Sequence, residues 1–153
     1  MPGRDWLGSR RAEVAADRIL DAAGALFAEH DVAGVGMNDI ARAAGCSRAT
    51  LYRYFENREV LHTAYVHREA YRLHEHMTGL IGEIEDPRER LLAGLTTSMR
   101  LVRESPALSG WFATADSPIG AEMAEQSEVI QALTAGFLLS LHPDDPAAVH
   151  WRA

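Results

Sequence analysis

The sequence predicts an all-α fold, with a three-helix helix-turn-helix unit at the N-terminus followed by a second helical part. Three observations carry this. Apolar residues recur at spacings of three and four nearly throughout. Strand-like alternation is almost absent. Helix starts are clearly marked, by Ser47, Asn57, Asp86-Pro87, Ser105-Pro106, Ser117-Pro118 and Asp145-Pro146.

The first helix is expected over residues 11–29. Ala15, Ile19, Ala22, Ala23, Leu26 and Phe27 form one apolar stripe along it. The stretch 31–36 contains Gly34 and Gly36 and breaks the pattern. A short helix follows over 37–44, burying Met37, Ile40, Ala41 and Ala44, with Gly45 as its left-handed C′ residue. Ser47 caps a third helix that ends near Tyr54, with Leu51 and Phe55 as its inward anchors. Asn57 caps a long fourth helix reaching about residue 79. Asp86-Pro87 opens a fifth, with Glu89 placed to complete a capping box. Ser105-Pro106 opens a short helix carrying Trp111 and Phe112, and Ser117-Pro118 a long one reaching Leu141. Asp145-Pro146 opens another that has only eight residues behind it, which reads as a helical part incomplete at its C-terminus. The domain reading is a flexible tail over 1–10, a helix-turn-helix unit over 11–57 and a second helical unit over 58–153.

With 153 residues the chain can bury a core. No run approaches the roughly 18 consecutive apolar residues of a membrane span, and residues 1–11 lack the apolar region of a secretory signal. A single cysteine, Cys46, allows no intramolecular disulfide, so a reducing compartment, the cytoplasm, is expected. The formal net charge of −7 argues at first sight against nucleic acid. Its distribution argues otherwise. Every basic residue is arginine, and Arg42, Arg48, Arg53 and Arg58 stand between residues 41 and 58 against Glu56 alone. The acids gather elsewhere, at Glu83, Glu85, Asp86 and Glu89, at Glu122, Glu125 and Glu128, and at Asp144 and Asp145. A local basic patch on an acidic body suits a protein that meets phosphates with one end.

The informative segment is MNDIARAAGCSRATLYRYFENR, residues 37–58. Two short helices joined by a tight turn, the second carrying a polar and arginine-rich outer face, match a helix-turn-helix reading double-stranded DNA through the major groove. Arg48 has the planar fork that fits guanine O6 and N7. Ala49 is small enough to approach a thymine methyl, and Thr50 can serve a base or a phosphate. Ser47, Tyr52 and Tyr54 offer hydroxyls to phosphate oxygens. Arg53 can reach either. Arg58, at the start of the long helix, is placed for a phosphate, and Met37 and Asn38, at the start of the brace helix, are further candidates for contact with DNA. The alternative is a surface helical hairpin with an accidental arginine patch.

Residues 19–61 resemble the DNA-binding domain of the tetracycline-repressor (TetR) family. The resemblance rests on Ile19-Leu20-Asp21-Ala22-Ala23, Leu26-Phe27, Asp39-Ile40-Ala41, Ala44-Gly45, Ser47, Thr50-Leu51-Tyr52, Tyr54-Phe55, Arg58-Glu59 and Leu61. It implies that Arg48, Ala49, Thr50, Tyr52 and Tyr54 lie on an operator-facing helix. It also implies that Arg58, where the family usually has lysine, contacts phosphate. The chain departs from the pattern at Val35 and Gly36, where the family usually has a hydroxyl cap. Gly36 can still cap at a loss of a few tenths of a kcal/mol, and Asn38 can supply a polar contact. Cys46 replaces a usual valine and reads as a small buried hydrophobe. The resemblance further implies a C-terminal ligand-binding and dimerisation domain, a homodimer on a pseudo-palindromic operator, and release by a small apolar or aromatic effector. Tyr65, Tyr71, Met77, Met99, Trp111, Phe112 and Phe137 are the candidates to line its pocket, with ordinary core as the alternative for each.

No metal or other cofactor is implied. His62, His67, His74 and His76 share the long fourth helix, but His67 and His74 lie two turns, about 10 Å, apart. These histidines read as solvated or pocket-wall residues. Ser117 and Asp116 have no histidine beside them in sequence, and no nucleophile elbow or phosphate loop is present, so an enzyme is not expected. The competing classes are a small-molecule-binding helical protein or α-helical enzyme that does not use DNA, which the overall acidity favours weakly, and an architectural DNA binder without an effector.

Overall fold

The computed structural model describes residues 6–105 and 127–141, with side chains from Arg10 onward. Its α-helices are α1 (Trp6–Glu29), α2 (Met37–Ala43), α3 (Arg48–Tyr54), α4 (Arg58–Ile81), α5 (Pro87–Glu104) and α6 (Glu128–Leu141), and a 3-10 turn over Val32–Gly34 leads from α1 to α2. No strand occurs among the described residues, so the all-α expectation holds. No helix among them is long and apolar enough to cross a membrane. The chain divides into two compact units, Met1–Val66 and His67–Ala153.

In the N-terminal unit, α1 starts at Trp6 and not near residue 11, so half of the expected tail is helical. No proline follows Pro2 before residue 87, and a nucleated helix extends at little cost until something stops it. The apolar stripe of α1 is buried at Ile19, Leu20, Ala23 and Phe27. Met37, Ile40 and Ala41 of α2 and Leu51 of α3 are buried as well, and α1, α2 and α3 pack on one another. Phe27 is the hub for α4, since His62 and Tyr65 both set their rings edge-on to it, each 5.2 Å away between centroids. Leu51, Leu61 and Tyr65 are fully buried, and each such side chain contributes about 1.5–3 kcal/mol. The unit therefore runs to Val66 and does not end at residue 57, because the first turns of α4 complete its core.

In the C-terminal unit, α5 begins as its sequence predicts, with Pro87 at the first position and Asp86 Oδ1 accepting the Glu89 N–H at 2.8 Å. Helix α5 packs on α6, where Gly94 faces the Phe137 ring. Arg90 donates to the carbonyls of Ile84 at 2.7 Å and Ser140 at 3.2 Å, placing a cation at the C-terminal end of α6. The single helix expected over 118–141 is corrected: α6 begins at Glu128. Buried Ser127 lies outside it, and its Oγ accepts the Ile130 N–H at 3.2 Å while sitting 2.9 Å from His67 Nε2. The helices expected after Ser105 and Asp145, with Trp111 and Phe112, lie outside the described residues.

Candidate nucleic-acid interface

Helix α2 starts at Gly36, which takes the extended cap conformation (φ −94°, ψ 156°) without a side-chain cap bond. It stops in a Schellman turn. Gly45 N–H donates to Arg42 O at 3.1 Å and Cys46 N–H to Ala41 O at 3.0 Å, while Gly45 has φ +68°. An L side chain at that φ is disfavoured by about 1–2 kcal/mol, which explains glycine at the corner. Cys46, expected to be a buried hydrophobe, is half-exposed because the residue after the corner stays near the surface.

Ser47 then caps α3. Its Oγ accepts the Thr50 N–H at 3.0 Å and shares a 2.8 Å hydrogen bond with Thr50 Oγ1. Leu51 is fully buried and Phe55 is 5% exposed, which fixes the rotation of α3. The opposite face is left open: Ser47, Arg48, Ala49, Tyr52 and Arg53 are exposed, and Thr50 and Tyr54 half-buried. Arg48 lies over the Tyr52 ring and Arg53 over the Tyr54 ring, each with its guanidinium carbon 5.3 Å from the centroid. Six of the expected contact residues thus share one short helix, adjoining Ser47. Asn38 is exposed at the start of α2. Arg42 pairs with Asp39 at 3.6 Å in an exposed position, a contact of little energetic value.

Two of the expected contact residues have side chains engaged within the protein. The Met37 side chain is only 9% exposed and belongs to the core, because the inner face of α2 must cover α1. Arg58 turns inward: its Nη2 donates to Val32 O at 2.6 Å and Ala33 O at 2.8 Å, and its Nε to His62 Nε2 at 3.4 Å. His62 is buried, contrary to its reading as solvated or pocket-wall. Burial, and next the charge of Arg58, lower its pKa from 6.5 to about 4. The ring is neutral at neutral pH, with a lone pair on Nε2 for Arg58. The sequence offered a signal for this pair, a histidine four residues after an arginine on one helix face.

The pocket candidates separate. Tyr65 lies in the core of the N-terminal unit against Phe27. In the C-terminal unit Met77 is buried and Phe137 half-buried, whereas Tyr71 and Met99 are 51% and 65% exposed. Trp111 and Phe112 lie outside the described residues. Met99 borders a groove of about 500 Å3 with Thr96, Arg100, Arg103 and Glu104. Among the described residues no three His, Cys, Asp or Glu side chains gather as a metal site.

The same segment is shared with known regulatory proteins. The family model of bacterial regulatory proteins of the tetR family matches residues 19–65. An HTH-type transcriptional regulator of Mycobacterium tuberculosis is 60% identical over 153 residues, covering 100% of this chain and 76% of its own length. An Escherichia coli "probable acrEF/envCD operon repressor" is 32% identical over 97 residues, or 59% of this chain and 43% of that protein. The solved structure of the fatty acid degradation regulator FadR from Bacillus halodurans aligns with a TM-score of 0.61 over 81% of this chain and 69% of that one. At 22% identity it speaks for the fold alone.

Proposed function

The chain belongs to the tetR family of bacterial regulatory proteins, and from that premise we propose that it is a cytoplasmic repressor. It binds a pseudo-palindromic operator as a homodimer and is released by a small apolar or aromatic effector. It is a DNA-binding transcription regulator and not an enzyme. One observation carries the proposal: α3 is anchored by Leu51 and Phe55 while its other face presents Arg48, Ala49, Tyr52 and Arg53.

On this reading α3 enters the major groove. Arg48 reads base edges, Ala49 meets a thymine methyl, and Thr50 and Arg53 serve base or phosphate. Ser47, Tyr52, Tyr54 and Asn38 hold phosphates. Two such helices in a dimer, about 34–36 Å apart, would match successive major grooves. The repressor name of the Escherichia coli relative favours repression over activation. An effector held in the C-terminal unit releases the operator only if it prefers a dimer whose helices no longer match that spacing.

The test is selection from a random duplex pool, read beside the oligomer mass of the same sample. Enrichment of a palindromic site by a dimer is the expected result. A dimer that enriches no sequence would overturn the reading in favour of a helical ligand binder.

A further inference from the structure

We propose that Arg58 and His62 form an internal clamp that positions the reading head, and that Arg58 does not serve as a phosphate contact. The inference concerns the interface proposed above and rests on that reading for its bearing on DNA.

The donors of Arg58 are directed inward. Both N–H groups of Nη2 have acceptors, Val32 O and Ala33 O, which lie 26 and 25 residues away in sequence. These carbonyls belong to the 3-10 turn Val32–Gly34. Carbonyls near the end of so short a helix carry partial negative charge, and Val32 O accepts the Val35 N–H at 3.4 Å as well as the Arg58 N–H. A guanidinium set across two of them supplies donors and positive charge together. A lysine ammonium would present one point of charge and could not hold this fork geometry.

His62 holds the guanidinium from the other side. Its ring is set edge-on to Phe27, with an interplanar angle of 88°, so the aromatic core fixes it. Kept neutral by burial and by Arg58 itself, it offers Nε2 to the Arg58 Nε–H. The 3-10 turn leads through Val35 into Gly36, the cap of α2. The clamp therefore ties the first turn of α4 to the start of α2, and the Schellman turn passes that position on to α3.

The experiment uses the full chain and two readouts. The first, without DNA, is hydrogen exchange of the Gly34 and Val35 amides, which donate to Asp31 O and Val32 O within the clamped turn. The second is the salt dependence of duplex affinity. Arg58→Lys is expected to speed exchange at both amides about tenfold and to weaken binding with an unchanged salt slope. His62→Leu should speed exchange similarly, and His62→Gln, which keeps a neutral acceptor, should restore protection. Exchange at Ile40 and Leu51, deep in the core, reports whether each variant is folded. Wild-type exchange in Arg58→Lys would overturn the inference. So would a salt slope in Arg58→Gln lower by about 0.9, the mark of a lost phosphate contact. Failure of the wild type to select any duplex would instead sink the DNA reading and leave the exchange result to decide the clamp.

Discussion

The Arg48 guanidinium lies over the Tyr52 ring, its central carbon 5.3 Å from the ring centroid. The two residues are one turn apart on α3, so the helix itself brings them together. A contact of this kind is worth about 0.5–1 kcal/mol at an exposed site, and it restricts a long side chain before any partner arrives. Arg48→Ala is expected to weaken operator binding by about 1–3 kcal/mol and to flatten the preference at one base position. Tyr52→Phe should keep that preference, because the ring face remains, and Tyr52→Leu should lose part of it. Competition binding against single-base operator variants reads all three. Equal losses on every sequence for Arg48→Ala would refute base readout.

Ser47 separates stability from recognition. Its Oγ accepts the Thr50 N–H at 3.0 Å, satisfying one of the free donors at the start of α3. Ser47→Ala is expected to destabilise the N-terminal unit by about 1 kcal/mol, seen as a lower melting temperature. Ser47→Asp should restore the cap, since a carboxylate also accepts that bond and suits the positive helix end. The same change places a negative charge where phosphates are proposed to sit, so affinity should fall while stability recovers. Parallel recovery of both would remove Ser47 from the interface.

The features legible in the sequence are those set by near neighbours. Gly45, Ser47 and the Asp86-Pro87 start each act within five residues, and the Leu51–Phe55 spacing alone orients α3. What escaped depends on partners distant in the chain. Arg58 reads as an outward cation until the carbonyls of Val32 and Ala33 come within reach. Ser127 sits within a stretch that reads as one continuous helix, yet α6 begins after it, with its hydroxyl shared between Ile130 and His67. His62 reads as one of a histidine series along α4, and only the packing against Phe27 sets it apart.

His62 gives the fold a defined acid response. Its folded pKa of about 4 lies below the ordinary 6.5, so the unfolded chain takes up the proton first. Stability from the neutral ring is fully present above about pH 6.5 and declines as pH falls toward 4. At about 1.36 kcal/mol per unit, less some solvent screening, the loss amounts to about 2 kcal/mol. Denaturant melts from pH 7 to 4.5 should show this decline in the wild type and a shallower one in His62→Gln. Equal slopes would place the acid response in other groups.

Gly94 tests the core of the C-terminal unit. A Cβ built there would stand 2.5 Å from Phe137 Cζ, closer than atoms can pack, and 3.3 Å from Ile81 Cδ1, a tight contact. Two effects oppose each other in Gly94→Ala. Helix propensity favours alanine by about 1 kcal/mol, and overpacking costs about 1–3 kcal/mol. Because Phe137 is half-buried its ring can partly yield, so a net loss of about 1 kcal/mol is expected by the difference of these terms. Shortening the opposing ring should reverse the sign: in a Phe137→Leu background, Gly94→Ala should stabilise, since only the propensity gain is left. Melts of the four proteins form a double-mutant cycle that isolates the contact. If alanine stabilises in both backgrounds, the ring does not press on α5, and Gly94 is a helix weakness and not a packing requirement.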